Sequence, residues 1–123
     1  MNMTYRHDVG DWGEDIACNY LTKLGYLIVE RNYYTRYGEI DIIARKDDQL
    51  FFIEVKTRTS TSYGLPEEAF TNLKQEHLFN SILVFLEGHP DEKDNWQIDL
   101  ISVEGKYLAQ KPKITHFQNV ILE

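Results

Sequence analysis

Two apolar segments of the chain are separated by a short polar break. They cover residues 38–45 and 50–57, and both are rich in β-branched and aromatic residues. The Lys-Asp-Asp-Gln break between them is a turn signal, so the pattern predicts a β-hairpin. A loop of two residues and a loop of four residues give the same strand register.

That register brings charged residues together. Asp41 lies opposite Glu54, and Glu39 lies opposite Lys56. Because side chains alternate between the faces of a strand, all four are expected to project from one side of the hairpin. The opposite face is apolar throughout, at Ile40, Ile42, Ala44, Phe51, Ile53 and Val55.

The charged face also becomes apolar toward the turn, so both strands are predicted to be central, with both faces covered. The charges then lie in a cleft where the covering layer parts. Like charges opposite each other destabilise a sheet. The cluster of acids therefore predicts a divalent cation that neutralises them. A solvated edge hairpin with scattered charges is the alternative interpretation.

The pattern before the hairpin predicts a helix and a strand. Apolar positions at helical spacing predict a helix over residues 9–24, with Gly25 as its stop. Gly13 falls inside this helix, where glycine costs about 1 kcal/mol of helix propensity. A close approach of the helix to the sheet would explain it. A strand over residues 26–31 and an aromatic, basic loop over residues 32–37 are expected to follow.

After the hairpin, residues 57–64 are polar and predict a mobile loop. Pro66 opens a second helix that ends before Gly88. A strand is predicted over residues 96–103, and the pattern of residues 114–122 leaves strand and helix open. The expected buried side of the second helix comprises Ala69, Phe70, Leu73, His77 and residues 81–86.

These elements predict an α/β domain in the order α-β-β-β-α-β, with a central mixed sheet between helices. The 123 residues are the size of one domain, here residues 1–123, and 42% are hydrophobic. The lone Cys18 excludes an internal disulfide and fits a reducing cytoplasm. No apolar run is long enough to span a membrane, and the N-terminus lacks a signal core.

The net charge of −7 is unusual for a protein that binds nucleic acid. The bases nevertheless cluster around the hairpin, so a local positive rim is expected, although non-specific duplex binding should be weak. The four histidines show no paired ligand spacing, which argues against a zinc site. The clustered bases are Arg31, Arg36, Arg45, Lys46, Lys56 and Arg58.

An acid, a gap and then acid-x-Lys on adjacent strands resembles the catalytic signature of the restriction-endonuclease-like (PD-(D/E)xK) superfamily. Within it, the chain closely resembles the YraN-like family of uncharacterised bacterial proteins. The proline that often precedes the first acid is absent, and Ile40 takes its place. The matching residues are Gly13-Glu14, Gly25-Tyr26, Asn32, Gly38-Glu39-Ile40-Asp41, Glu54-Val55-Lys56, Arg58, Gly64, Pro66, Lys74 and Asp99.

The resemblance implies the three-layer restriction-endonuclease-like fold and hydrolysis of phosphodiester bonds. Asp41 and Glu54 would hold Mg²⁺ or Mn²⁺, and the Val55 carbonyl could add an oxygen. Lys56 would orient the attacking water or stabilise charge on phosphorus. The chain is also similar to archaeal Holliday-junction resolvases, in which a glutamate of the first helix, here Glu14, joins the hairpin acids.

Several of these residues have a structural interpretation as well. Glu14 could simply favour the first turns of its helix, and Glu39 could form a cross-strand ion pair with Lys56. Asp99 is expected to cap or pair within its own strand. Lys74 is either a phosphate contact or a solvated lysine.

Three tyrosines of the loop over residues 32–37 could stack bases or anchor the loop. They are Tyr33, Tyr34 and Tyr37.

The leading functional hypothesis is therefore a metal-dependent endonuclease acting on branched or otherwise structured DNA. Arg31, Arg36, Arg58 and Lys74 are the candidate phosphate contacts. A non-catalytic module that binds nucleic acid or protein is the alternative, and a nuclease acting on RNA differs only in substrate. By analogy with resolvases, which make two symmetric cuts, a homodimer is expected.

Overall fold

Five β-strands form one mixed sheet with a helix on each face. The computed structural model describes residues 3–59, 70–92 and 94–120, with side chains from His7 onward. The helices are α1 (Met3–Lys23) and α2 (Asn72–Glu87), and a short 3₁₀ helix covers Pro90–Glu92. The strands are β1 (Leu27–Thr35), β2 (Gly38–Lys46), β3 (Gln49–Arg58), β4 (Trp96–Glu104) and β5 (Lys113–Phe117).

The strands lie side by side in the order of the chain, β1-β2-β3-β4-β5. Only β3 and β4 run parallel, because the connection between them crosses the sheet through α2. This arrangement confirms the predicted three-layer α/β fold of restriction-endonuclease-like type. None of the helices in the described residues has the length and apolar character needed to cross a membrane.

The turn of the β2–β3 hairpin sets its register as predicted. Asp47 and Asp48 form a two-residue loop, and their φ values of 52° and 63° place both in the left-handed region. Such a loop matches the twist of the flanking strands. The ladder then runs from Lys46 opposite Gln49 to Ile42 opposite Ile53.

Two apolar clusters cover the two faces of the sheet. On one face, Ile42, Ile53 and Val103 pack under α1, which contributes Trp12 and Leu21. The other face packs against α2, with a cluster that includes Ile40, Ile43, Leu50, Phe52, Ile82 and Phe85. Both hairpin strands are therefore central and covered on both sides, as the sequence predicted.

The alternation of side chains breaks near the middle of β2. Ile40 packs on the α2 side, whereas Ile42 packs on the α1 side. Strict alternation would place both on one face, so the prediction that they share a face is wrong. The break at Asp41 lies beside Asn32 of β1, whose φ of 51° is left-handed and turns that strand in the same place.

α1 begins at Met3 and not at the predicted residue 9, and strand pairing decides two further regions. The predicted loop over residues 32–37 is strand as far as Thr35, because it pairs with Gly38–Ile40. The tail contains the strand β5, so the ambiguity there is resolved over Lys113–Phe117. The predicted start of the second helix at Pro66 and most of the loop before it lie outside the described residues.

Within the described residues α2 begins at Asn72, after an N-cap at Thr71 whose side chain accepts a hydrogen bond from the Lys74 amide. This start places Leu73, His77 and Leu83 on the exposed side, so their predicted burial is wrong. Ala69 lies outside the described residues. The buried positions recur at helical spacing and are Leu78, Ser81, Ile82, Phe85 and Leu86.

Gly13 marks the closest approach of α1 to the sheet. A Cβ atom at this position would lie 1.9 Å from Oγ1 of Thr57 in β3. The glycine therefore lets the helix axis come close to the strand, as predicted. Gly10, one helical turn earlier, faces open space, where an added Cβ would meet no atom within 4 Å.

The two glycines form a matched pair for testing this contact. We expect Gly13→Ala to destabilise the protein by about 1–3 kcal/mol, because the extra methyl group overpacks the interface with Thr57. Gly10→Ala should stabilise it by up to about 1 kcal/mol through helix propensity alone. Urea unfolding monitored by circular dichroism measures both, and equal effects would contradict the close-approach interpretation.

Candidate active site

The backbone pairing of β2 with β3 ends next to Asp41, and the candidate site begins there. Beyond Ile42 and Ile53 no further backbone pair joins the two strands, as far as the described residues extend. Instead the Val55 N–H donates a 2.8 Å hydrogen bond to Oδ2 of Asp41. The side chain of Asp41 thus takes the place of a strand carbonyl and holds β2 and β3 apart.

Glu54 and Lys56 project from β3 toward α2. The Lys56 ammonium lies 3.1 Å from Oε1 of Glu54, and each side chain is only 17% exposed. Lys74 of α2 reaches the same place, where its amine and the Lys56 amine lie close enough to shift each other's pKa. The structure therefore brings Asp41, Glu54, Lys56 and Lys74 together, as the functional hypothesis requires.

Glu14 enters the site from α1. The glycine before it, Gly13, allows the helix to approach β3 closely. Oε1 of Glu14 is buried, lies 3.8 Å from the Arg31 guanidinium, and receives no hydrogen bond from any described residue. A buried carboxylate oxygen without a donor is costly, so this oxygen is available to accept a proton or to bind a ligand.

Burial and mutual repulsion raise the pKa values of the acids. Burial, followed by the Glu54 charge, raises the pKa of Asp41 to about 8. Burial raises the pKa of Glu14 to about 7, although the Arg31 guanidinium opposes this. The acids thus resist carrying full negative charge together without a compensating cation.

The pKa values of the two lysines shift in opposite directions. Burial alone would lower the pKa of Lys56, but the Glu54 carboxylate and the contact with Lys74 raise it above its usual value. Contact with the Lys56 amine lowers the pKa of Lys74. Lys56 is therefore the firmly cationic member of the pair.

The donor set fits a hard divalent cation that keeps much of its water. Asp41 and Glu54 each use one oxygen in the bonds described above, and a carboxylate carries two. No three Asp, Glu, His or Cys side chains within residues 3–59, 70–92 and 94–120 stand close enough to enclose an ion. Mg²⁺ commonly binds to one or two carboxylates, with water and phosphate oxygens completing its shell.

Glu39 does not take the position that the sequence predicted. Because alternation breaks at Asp41, Glu39 turns toward α1, where it lines a pocket with Asp11 and Glu14. Its partner in the ladder is Tyr34 of β1, and Lys56 pairs with Glu54. The predicted pairing of Glu39 with Lys56 is therefore wrong, as is the prediction that all four charges share one side.

The bases that were expected to form a positive rim mostly have acidic or aromatic partners. Arg31 lies 2.9 Å from Asp15 of α1. Arg36 donates to the Tyr37 hydroxyl at the β1–β2 turn.

At the opposite end of the hairpin, Arg45 forms an ion pair with Glu92, and Lys46 lies over the Tyr26 ring. Arg58 closes β3 and follows the Lys56 end of the strand.

Asp99 belongs to a buried polar network on the α1 face. Its carboxylate is fully buried and lies 2.7 Å from Nε2 of His116, whose Nδ1 lies 3.0 Å from the Tyr20 hydroxyl. Gln97 and the Asn119 amide donate to its other oxygen. The sequence predicted pairing for Asp99 but missed His116, which becomes a neighbour only when β5 joins the sheet.

Comparison with known proteins finds relatives along most of the chain. A family model described as "Uncharacterised protein family UPF0102" matches residues 13–103. A UPF0102 protein of Syntrophomonas wolfei is 43% identical over 112 residues, which cover 91% of this chain and 96% of the relative. One of Alkaliphilus oremlandii is 39% identical, covering 90% and 95%. These matches agree with the resemblance seen in the motifs.

The raised pKa of Asp41 predicts a pH dependence of stability for the metal-free protein. Between about pH 4 and pH 8 the unfolded carboxylate is ionised while the folded carboxyl keeps its proton. Unfolding then releases a proton, so stability should fall as pH rises through this window. In Asp41→Asn the side chain cannot ionise, and the free energy of unfolding at pH 9 should exceed that of the wild type by about 1 kcal/mol or more.

At pH 4 the Asp41→Asn variant and the wild type should differ much less. Urea titrations from pH 4 to pH 9, in the presence of a chelator, measure the two profiles. Asp91→Asn, in the exposed 3₁₀ helix, is the control and should run parallel to the wild type. Parallel profiles for Asp41→Asn would show that the folded protein does not penalise this charge.

Proposed function

Because the chain belongs to the uncharacterised protein family UPF0102, a description that names no reaction, we propose its function from the site itself. The proposal is a divalent-metal-dependent endonuclease that hydrolyses phosphodiester bonds in branched or structured DNA. One observation carries it: Asp41, Glu54 and Lys56 meet where β2 and β3 part, and Glu14 joins them from α1.

Lys56 is suited to stabilise negative charge that develops on a phosphate. It is mostly buried and remains cationic beside Glu54. A preorganised cation in a site of low dielectric stabilises the transition state more than it would in water. Lys74, in contact with Lys56, is placed to bind a second non-bridging oxygen of the same phosphate.

Asp41 and Glu54 would hold the cation, with Glu14 and the Val55 carbonyl as further oxygen donors. When bound, Mg²⁺ or Mn²⁺ would polarise the phosphate and supply a water of lowered pKa. Oε1 of Glu14 is buried and receives no hydrogen bond from any described residue, which supports including Glu14 among the oxygen donors. Glu39 stands farther out, on the α1 side, where it adds negative charge near Glu14.

The net charge of the protein favours a branched or structured DNA substrate over continuous duplex DNA. A net charge of −7 disfavours long tracts of phosphate contacts. Arg58 and Lys74 flank the site, and Arg36 lies at the β1–β2 turn, so phosphate contacts would be few and local. A branch point or an unpaired segment could offer its phosphate without burying much duplex. The setting proposed is the cytoplasm, with two copies making paired cuts.

A second candidate is a non-catalytic module that binds nucleic acid or protein. The observation that favours it is the absence of a complete three-ligand set among the described residues. RNA remains an alternative substrate for the catalytic proposal. Metal binding and cleavage separate these candidates.

Cleavage assays test the catalytic proposal directly. Labelled four-way junction, flap, single-stranded and duplex DNA, together with a structured RNA, would be incubated with Mg²⁺ or Mn²⁺. We expect cleavage of the branched DNA, and a fall in rate of about 100-fold or more in Asp41→Asn, Glu54→Gln and Lys56→Gln.

Asp91→Asn, on the 3₁₀ helix near the other end of the hairpin, is the matched control and should keep full activity. Cleavage that survives all three site variants would point to a contaminant or to another site. The absence of cleavage on every substrate would reject the catalytic proposal.

Metal binding provides a readout that does not depend on activity. At pH 8, Mn²⁺ at about 100 times its dissociation constant should stabilise the wild type by about 3 kcal/mol. Glu54→Gln and Asp41→Asn should lose most of that gain in a thermal-shift titration. An unchanged gain in both variants would place the ion elsewhere, and no gain in the wild type would favour the non-catalytic module.

A further inference from the structure

A pocket next to the candidate active site is shaped by α1 and the outer half of the β1–β2 hairpin. We call it the α1 pocket, and its volume is about 440 Å³, within the range of small-ligand sites. It adjoins the site directly, because Glu14 belongs to both. Its described lining residues are His7, Gly10, Asp11, Glu14, Asn32, Tyr34 and Glu39.

Tyr34 provides a flat aromatic surface at this pocket. It is 77% exposed, the largest exposed fraction among the large hydrophobic side chains described. The ring stands beside Glu39, its partner in the β1–β2 ladder, and both residues line the pocket. An exposed aromatic ring at the mouth of a pocket suits the stacking of a planar base.

The charges of the α1 pocket argue against a phosphate occupant. Asp11, Glu14 and Glu39 line it, and the described lining residues include neither lysine nor arginine. Carboxylates repel phosphate, but they accept hydrogen bonds from the exocyclic amino groups of bases. The phosphate would instead lie on the Lys56 side of Glu14.

We propose that the α1 pocket receives one unpaired nucleobase next to the phosphodiester held at Asp41, Glu54 and Lys56. The base stacks on Tyr34, and its amino group donates to the carboxylates. The site therefore selects nucleic acid with an unpaired nucleotide beside the cut and favours amino-bearing bases over thymine. This inference rests on the proposed function for the role of the neighbouring phosphate, but the pocket can be tested without cleavage.

Binding of short homopolymers tests the inference in the absence of metal. Oligo-dC and oligo-dT are both pyrimidine strands; thymine has a carbonyl where cytosine has its amino group, and it carries an additional methyl group. An abasic strand of equal length carries the backbone alone. By fluorescence anisotropy we expect oligo-dC to bind several-fold tighter than oligo-dT. Oligo-dC should also bind at least about tenfold tighter than the abasic strand, which is the scale of one stacking contact.

Variants of pocket residues test whether this difference in affinity arises at the α1 pocket. Tyr34→Ala should lower the affinity for oligo-dC to nearly that for the abasic strand. Tyr34→Phe should keep most of the preference for a base. Gly10→Leu should also abolish the preference, because a side chain at Gly10 would project into open space at the pocket wall. Phe79→Ala, in an aromatic residue of α2 that is 40% exposed and does not line the α1 pocket, is the matched control and should leave the order unchanged.

The outcomes separate this inference from the proposed function. Equal affinities for all three strands, or no measurable binding of any strand, would overturn the nucleobase pocket whether or not the protein cleaves DNA. So would a Tyr34→Ala variant that weakens every strand equally, since that marks a structural role. A clear base preference without metal-dependent cleavage would support the pocket and reject the nuclease.

Discussion

The parting of β2 from β3 at Asp41 is the constraint on which the candidate site depends. β3 is paired with β4 from Leu50 to Arg58, while β2 stays paired with β1, whose backbone turns at Asn32. The Val55 N–H therefore loses its backbone partner and bonds to the Asp41 carboxylate instead. A buried N–H must find an acceptor, so this aspartate supports the architecture of the sheet and also lines the candidate site.

The opening at Asp41 allows charged groups from three elements to meet. Glu14 arrives on a helix that Gly13 lets approach β3, Glu54 and Lys56 come from the strand, and Lys74 comes from α2. Their concentration in a partly buried place raises the pKa values of the acids, so a proton or a cation must offset the repulsion. Lys56 and Lys74 lie on the α2 side of this opening, whereas Glu14 and Glu39 lie on the α1 side.

Much of the fold was predictable because its signals are local. The β2–β3 register follows from a two-residue turn at Asp47 and Asp48, and the covered faces follow from an apolar run. The end of β1 and the buried side of α2 were harder to predict from the sequence. The polar residues of 32–35 become strand only by pairing with β2, and the buried side of α2 depends on where Thr71 caps it.

By itself the sequence determined the three-layer order, the hairpin and the identity of the acids and lysine that converge, since turn chemistry and side-chain periodicity act over a few residues. Only the tertiary structure decided which way each charge faces. One break in alternation sends Glu39 to α1 and leaves Lys56 to Glu54, and it opens the pocket at Tyr34. That break arises from pairing with both neighbouring strands at once, a constraint that no stretch of sequence expresses alone.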